Sequence, residues 1–260
     1  MEGWRTMADV LVLFASKGDE KAYKQVLEAL DKNKISYDFR VASAHKTPED
    51  VERILKKKYR VVIAGAGLAA ALPGVVAAKV LCPVIGVPCS GNLGGLDALL
   101  SIMQMPPGVP VLCTGVDNGK EAAGAAAQML KGYDKAVLVG GENAAMGKAE
   151  EVLRKFDVPC TKGKAMDASA LNLAFIPAAH LPKKEDGFAI YCPVAEKEED
   201  APELALALLK NSSRGLWVGL NNGTNAAIGA VEILNIGGKY TGKLIAYRKE
   251  QVEKVRAYSK

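Results

Sequence analysis

The stretch that decides the fold is residues 9–45, which read DVLVLFASKGDEKAYKQVLEALDKNKISYDFRVASAH. The apolar run over 9–15 predicts a buried strand, the helical spacing of apolar residues over 19–33 predicts an amphipathic helix, and the alternation over 37–42 predicts a second strand. A helix between two strands lets both strands run in the same direction. We therefore expect a parallel sheet with the helix packed on one face.

The same alternation of strand and helix extends to residue 131. Predicted strands follow at 60–64, 83–87 and 109–114, and predicted helices at 47–57, 72–80, 96–103 and 119–131. This order implies an α/β fold in which helices cover both faces of a parallel sheet. Ligands of such sheets bind at the carboxyl ends of the strands, so the turns at those ends form the candidate site.

A second run of similar pattern follows the first. It contains a predicted strand at 135–139, a predicted helix at 144–156, apolar runs at 174–176, 189–192 and 215–219, and a polar helix at 242–259. Along that last helix an apolar stripe is predicted from Leu244, Tyr247, Val252 and Val255.

Two segments of the chain resemble each other, which predicts an internal duplication. Residues 117–125 read DNGKEAAGA and residues 221–229 read NNGTNAAIG, an offset of 104, whereas the opening strands of the two halves are offset by 126. The second copy is therefore shorter by about 22 residues. We predict a first domain over residues 1–132 and a degenerate second copy over residues 133–260.

Composition narrows the classes of function. The 260 residues carry 34 basic and 29 acidic side chains, and the cations are scattered apart from the run 56–58, which disfavours a nucleic-acid groove. No apolar run reaches 18 residues and no signal peptide is recognisable, so we expect no membrane segment and a cytoplasmic location. Five cysteines without CxxC spacing indicate free thiols in a reducing compartment.

Histidine is the side chain best suited to moving protons near neutral pH, and the chain has two, His45 and His180. His45 lies between a predicted strand and a predicted helix, at the carboxyl edge of the sheet. This position indicates a role in proton transfer, and the alternative is a loop histidine without a task.

Another candidate is the turn Ala15–Asp19, which reads ASKGD. Its backbone N–H groups and the Ser16 hydroxyl suit a phosphate, and Asp19 suits a sugar hydroxyl. The same two side chains would also cap the following helix, and both interpretations stay open. The Gly-rich turn over 64–74 matches a dinucleotide fingerprint only loosely, and no acidic residue follows at the spacing that a ribose needs.

Four motifs taken in order are more specific than any of these turns alone. They are SAHKTP at 43–48, ALPGVVAA at 71–78, PVIGVP at 83–88 and GLDALLSIMQMPPGVPV at 95–111. With them, residues 9–131 closely resemble the PurE family, the phosphoribosylaminoimidazole carboxylases and N5-carboxyaminoimidazole ribonucleotide mutases of purine synthesis. The resemblance implies a three-layer, flavodoxin-like parallel sheet. The second half looks like a degenerate copy, and its ending is similar to the family's carboxyl-terminal helix.

The resemblance also implies roles for individual residues. His45 would be the general acid/base. Ser16 and Asp19 would contact the phosphate and the ribose, and Lys46, which stands where many members have arginine, would neutralise a phosphate. A loop over 94–107 would close over the base. The other substrate-binding positions that the family implies are Ser43, Ala44, Gly65, Ala71 and Leu72.

The implied reaction needs no metal and no organic cofactor, because the aminoimidazole ring of the ribonucleotide substrate is itself nucleophilic. Its C4 atom attacks CO2, which comes from a carbamate on the substrate in the mutases and from solution in the carboxylases. The sequence leaves the carbon donor open. Single-copy members are octamers, so the resemblance implies a homo-oligomer in which four tandem chains form an octamer-like ring.

The chain departs from the family at two positions, with Gly18 in place of a serine and Ala71 in place of a histidine. These losses favour a non-catalytic nucleotide-binding paralog, whereas the retained QMPPG segment at 104–108 favours the enzyme. The ALP and DNG segments are also similar to relatives that carboxylate a nicotinate nucleotide, which is a further alternative.

The histidine that is missing at Ala71 occurs in the second half, in the string AAHLP at 178–182. We therefore hypothesise that His180 completes the site around His45, within one chain or between chains. The alternative is that His180 is a remnant and that the second half is scaffold.

Overall fold

The computed structural model describes residues 8–177, 187–195 and 201–258. Its strands are β1 (Val10–Phe14), β2 (Tyr37–Val41), β3 (Val61–Ala66), β4 (Val84–Pro88), β5 (Leu112–Cys113), β6 (Ala136–Gly140), β7 (Cys160–Gly163), β8 (Leu171–Pro177), β9 (Ala189–Val194) and β10 (Leu216–Trp217). Its helices are α1 (Glu20–Lys32), α2 (Pro48–Leu55), α3 (Ala71–Lys79), α4 (Leu96–Met103), α5 (Gly119–Lys131), α6 (Ala144–Lys155), α7 (Ala201–Asn211), α8 (Gly223–Leu234) and α9 (Thr241–Ala257). The strands and helices predicted up to residue 156 are all present, with β5 shorter than predicted. The sequence patterns missed β7 and α7.

All described strands join one sheet in the order β2-β1-β3-β4-β5-β10-β9-β8-β6-β7. Numbered within each half, the strands of both halves have the order 2-1-3-4-5, which is the flavodoxin-like order. The strand pairings are parallel within each half. The predicted flavodoxin-like α/β fold is therefore confirmed, and the two halves share one continuous sheet.

The halves meet at β5 and β10, where Cys113 pairs antiparallel with Trp217. These two residues are 104 positions apart, which is the offset between the two similar segments of the sequence. Equivalent strands that pair antiparallel are related by a local two-fold axis through the junction. The duplication itself and the domain boundary after residue 132 stay predictions.

Helices cover the sheet on both faces because side chains alternate along each strand. Val10, Val12 and Phe14 face a core beneath α1, α5, α6 and α8, which runs through both halves. Leu11 and Leu13 face a second core beneath α2, α3 and α4. Burial on both faces is the reason that the strands are nearly continuous apolar runs in the sequence.

The second half has no counterpart of α2. Residues 164–170 are all described, and they join β7 to β8 through turns, whereas α2 occupies the equivalent connection between β2 and β3. This shorter connection accounts for part of the length difference between the halves.

The end of the chain forms two helices instead of the single carboxyl-terminal helix that the resemblance implied. Asn235 redirects the backbone after α8, because its Oδ1 accepts a hydrogen bond from Tyr240 N at 2.6 Å. Gly238 supplies the left-handed backbone of the turn, with φ of +87°. α9 therefore starts in a new direction.

The predicted apolar stripe on α9 is correct only for its first half. Leu244 and Tyr247 are buried, and Tyr247 packs on Phe156 at the end of α6. Val252 and Val255 are 44% and 71% exposed, so the stripe is wrong for them. In the described part of the chain, the last turns of α9 extend past the surface that buries its start.

Candidate active site

The turns after β1 to β5 lie along one edge of the sheet. Phe14, the last residue of β1, pairs with Val41 of β2 and with Gly65 of β3, so the turns after these strands start side by side. The backbone N–H of Cys89 donates to the end of β3 at 2.9 Å, and that of Asp117 donates to the end of β4 at 2.8 Å. The predicted edge is therefore assembled from five separate segments of the first half.

The turn after β1 is closed by two reciprocal hydrogen bonds. Ser16 Oγ accepts from Gly18 N at 3.0 Å, and Asp19 Oδ2 accepts from Ser16 N at 3.1 Å. This is the capping-box arrangement, and it caps the short 3-10 turn Lys17–Asp19 that leads into α1, whereas Asp19 makes no side-chain capping bond to α1 itself. The phosphate interpretation remains open, because the Ser16 hydroxyl still has its proton to donate to a ligand.

The Asp19 carboxyl group faces the turns after β4 and β5. Burial raises the pKa of Asp19, the hydrogen bonds from Ser16 N and the Cys89 thiol lower it, and nearby Asp117 raises it again, with a net increase. Burial is also the main cause of the raised pKa of Cys89, and the two carboxylates add to it. The thiol is therefore protonated at neutral pH. This end of the edge offers carboxylate oxygens that suit the hydroxyl groups of a sugar.

The turn after β2 holds His45 at its centre. Ser43 N donates to Thr47 Oγ1 at 3.0 Å, Thr47 N donates back to Ser43 O at 2.9 Å, and Lys46 N donates to Ser43 Oγ at 3.3 Å. Ala44 is half-buried and packs against the core. His45 and Lys46 are exposed, and within the described residues neither side chain makes a hydrogen bond or an ion pair. The imidazole and the ammonium group are both available to a ligand.

The turn after β3 offers main-chain groups to the site. The residues predicted there to bind substrate, Gly65 and Leu72, have packing roles. A Cβ on Gly65 would lie 2.0 Å from the ring of Phe14, so glycine is needed there to make room for that ring. Leu72 is 1% exposed and belongs to the core beneath α3. Ala71 is the first residue of α3, directly after Ala70, which has φ of +41°. Substrate contact by Gly65 or Leu72 would have to be made by the main chain.

Sequence reasoning missed a charged cluster centred on Asp117. This carboxylate accepts from Ser90 N at 2.9 Å, from Ser90 Oγ at 2.7 Å and from Lys21 Nζ at 2.9 Å. Burial raises the pKa of Asp117, but the hydrogen bonds from Ser90 and Lys21 together outweigh burial, so the pKa is lowered. The ionised carboxylate holds the turn after β4 in place. Its signal in the sequence is its position, between the end of a strand and the N-cap Asn118 of the next helix.

The loop that was expected to close over the base is not one loop. The segment 94–107 contains α4, whose eight residues separate Gly95 from Gln104 by about 12 Å along the helix axis. Only the residues before α4 belong to the edge that carries His45. The residues after α4 lie at the far end of that helix and contact the second half.

The contact with the second half is made by two asparagines at the start of α8. Asn225 Nδ2 donates to the carbonyl oxygens of Met105 and Pro106 at 3.1 and 3.0 Å, and Asn225 Oδ1 accepts from Gly108 N at 2.7 Å. Asn222 Nδ2 donates to Met105 O at 3.0 Å. The QMPPG segment is thus bound by the second half.

The hypothesis that His180 completes the site falls on a residue outside the described residues, and it stays a hypothesis. The described part of the second half shows how its edge differs from the first. Asn221 stands 104 residues after Asp117 and has a similar left-handed φ of +56°. Its Oδ1 accepts from Ala195 N at 3.0 Å. An amide therefore replaces the carboxylate at this position.

The described residues also bear on metal binding, membrane insertion and disulfide bonding. No group of three histidine, cysteine, aspartate or glutamate side chains in the described residues is arranged to hold a metal ion. None of the helices in the described ranges has the length and hydropathy needed to span a bilayer. All five cysteines are free, as the sequence predicted.

Comparison with known proteins agrees with the motifs. The sequence model of the AIR carboxylase family matches residues 9–150, and the chain belongs to this family, which confirms the resemblance to PurE proteins. The N5-carboxyaminoimidazole ribonucleotide mutase of Methanocaldococcus jannaschii is 48% identical over 122 residues, which cover 46% of this chain and 78% of that protein.

Two further relatives extend the comparison. The phosphoribosylaminoimidazole carboxylase of Schizosaccharomyces pombe is 38% identical over 151 residues, which cover 56% of this chain and 27% of that protein. The crystal structure of Treponema denticola PurE is 30% identical, covers 47% of this chain and 79% of that chain, and has a TM-score of 0.43.

Proposed function

We propose that this chain forms 4-carboxy-5-aminoimidazole ribonucleotide in purine synthesis, from N5-carboxyaminoimidazole ribonucleotide or from aminoimidazole ribonucleotide and CO2. The observation that carries the proposal is the exposed imidazole of His45, which bonds to none of the described residues, at the strand edge of a chain that belongs to the AIR carboxylase family. The relatives reported above are named for aminoimidazole nucleotides, which favours this substrate over a nicotinate nucleotide.

His45 carries the proton that the reaction has to move. When C4 of the ring attacks CO2, a C–C bond forms and C4 must lose its proton. In the mutase direction, the C–N bond of the carbamate breaks to release that CO2, and the ring's amino nitrogen gains a proton. One imidazole that accepts the proton from C4 and returns one to nitrogen balances the reaction. An imidazole without a protein hydrogen bond is suited to this exchange.

The neighbouring turns supply the binding groups. The Ser16 hydroxyl proton and the Lys46 ammonium group suit the phosphate, and the half-buried carboxylate of Asp19 suits the ribose hydroxyls. Ser43 and Ala44 position the His45 turn. The main chain of the turn after β3 would contact the ring.

The test is turnover with each carbon donor. The purified chain is given either N5-carboxyaminoimidazole ribonucleotide or aminoimidazole ribonucleotide with bicarbonate, and the carboxylated product is separated and quantified. Product from one donor identifies the enzyme as mutase or carboxylase. If neither donor yields product while the ribonucleotide still binds, the chain is the non-catalytic paralog, and the losses at Gly18 and Ala71 explain why.

The proposal includes an assembly and a location. We propose a homo-oligomer of four 27.4-kDa chains that acts in the cytoplasm on a small-molecule substrate, without nucleic acid, membrane, metal or organic cofactor. Light scattering on the purified chain measures the number of copies. Turnover of His180→Asn tests whether the second half contributes to the site, because a remnant histidine can be replaced without effect.

A further inference from the structure

A cavity of about 880 Å³ lies at the junction of the two halves, away from the His45 turn. One wall comes from α5 of the first half, and the others come from the start of β9, the end of α7 and the segment before β10. We call it the junction cavity. Its volume is within the range of sites for small organic ligands. None of the site residues in the turns after β1 to β5 lines this cavity.

Two stacked pairs of aromatic rings line the junction cavity, one from each face of the sheet: Tyr133 and Phe188 pack on the core beneath α1 and α5, and Tyr191 and Trp217 pack on the core beneath α2 to α4. Tyr133 and Phe188 stack with ring centroids 5.7 Å apart and an angle of 13° between planes. Tyr191 and Trp217 stack at 4.7 Å and 20°. Tyr133, Phe188 and Tyr191 are only half-buried, so part of each ring surface faces the cavity. Flat ring surfaces of this kind favour a planar aromatic group of the ligand.

The rim of the junction cavity is cationic at the end of α7 and in the segment before β10. Lys210 and Arg214 line it, both are exposed, and neither forms an ion pair with any described residue. Among the described residues of the lining one is acidic, Glu121, and it already accepts from Gly215 N at 2.8 Å. The Trp217 indole donates to Arg214 O at 2.7 Å, and this hydrogen bond holds the backbone of Arg214 next to Trp217. The positive charges of Lys210 and Arg214 therefore favour the binding of an anion at this rim.

We propose that the junction cavity binds a nucleoside monophosphate, with its base against the Tyr133–Phe188 pair and its phosphate between Lys210 and Arg214. A stacked base and a charge-paired phosphate together account for the two features of the lining. The Gln128 amide and the Ser213 hydroxyl also line the cavity, and since Gln128 Oε1 accepts from Lys131 Nζ at 3.1 Å, Gln128 Nε2 is the amide group that can donate to the base edge or the ribose. The site is separate from the one proposed for catalysis.

Adenosine 5′-monophosphate is the probe, because its bicyclic ring offers a large stacking surface. The chain has two tryptophans, so the Trp4→Phe variant leaves Trp217 as the only indole, and its fluorescence reports on the segment that carries Arg214, to whose carbonyl oxygen the indole donates. We expect a saturable fluorescence change on titration. The double variant Lys210→Ala/Arg214→Ala should bind at least tenfold more weakly, since two charge-assisted contacts are lost. The matched control Lys148→Ala/Lys249→Ala removes two exposed unpaired cations elsewhere and should leave the affinity unchanged.

Two fragments of the nucleotide test the base-binding part and the phosphate-binding part of the site separately. Adenosine should bind weakly and be insensitive to the loss of Lys210 and Arg214. Ribose 5-phosphate should bind weakly and be insensitive to Phe188→Leu, which removes the ring but keeps an apolar side chain. The proposal is wrong if the nucleotide shows no saturable binding, or if its affinity falls in Ser16→Ala and not in Lys210→Ala/Arg214→Ala. Turnover of that double variant should stay at the level of the unmodified chain, so this test can fail without affecting the proposed function.

Discussion

Replacing Asn225 by alanine should destabilise the junction of the two halves more than any other single truncation at that contact. Asn225 is 1% exposed and makes three side-chain hydrogen bonds to the QMPPG segment of the first half. Each net hydrogen bond contributes about 1 kcal/mol, and the buried N–H of Gly108 would be left without a partner at a further cost. We expect the free energy of unfolding to fall by about 3–4 kcal/mol. For a chain of this size, that lowers the melting temperature by about 6–15 °C.

The local two-fold axis provides a matched control for Asn225. Glu121 stands 104 residues earlier at the equivalent point of α5, and its Oε1 accepts one hydrogen bond from Gly215 N. Glu121→Ala should therefore cost only about 1 kcal/mol. Urea unfolding at one protein concentration, followed by circular dichroism, measures both variants. The reasoning fails if Asn225→Ala costs less than 1 kcal/mol, or no more than Glu121→Ala.

Three other predictions concern the site and a buried carboxyl group. His45→Asn should lower turnover by about 10²–10⁴ while substrate binding changes only a few-fold, and unchanged turnover would remove His45 from the mechanism. Ser16→Ala removes the acceptor of Gly18 N, so the free energy of unfolding should fall by about 1 kcal/mol, and calorimetry should also show weaker substrate binding. Unchanged binding would assign Ser16 to capping alone. Burial raises the pKa of Glu232 to about 8 in spite of Arg248 at 3.0 Å, so the folded chain keeps a proton that the unfolded chain loses near pH 4.5. Stability should therefore fall by about 3 kcal/mol between pH 5.5 and 8.5. Glu232→Gln, compared by urea unfolding at both pH values, should show a smaller decrease, and an equal decrease would contradict the raised pKa.

The turns that carry Ser16 and His45 were predictable from the sequence where the relevant contacts are local. The capping box of the turn after β1 joins residues three positions apart, and the Ser43–Thr47 turn joins residues four apart. A single sequence shows such contacts directly. Their position after apolar strands also placed them at the carboxyl edge of a parallel sheet.

The Asp117 cluster was not predictable in the same way. Its hydrogen bonds to Ser90 and Lys21 join residues 27 and 96 positions apart. No pattern along the chain indicates which distant turns become neighbours. The segment 94–107 was expected to be one loop and is not, because the helix α4 inside it carries its two ends to different parts of the molecule. That part of it covers the base stays a prediction.

The sequence by itself determined the strands and helices of the first half and the order in which they alternate. It did so because strands buried on both faces must be apolar along their length, and because glycine, proline and capping residues mark their ends. Only the tertiary structure decided that the two halves join into one sheet through equivalent strands. It also decided that Asn225 binds a segment about 120 residues earlier and that a cavity with aromatic and cationic walls forms between the halves. Such contacts depend on how the complete halves pack against each other. This packing does not produce a periodic pattern of apolar residues in the sequence of either half.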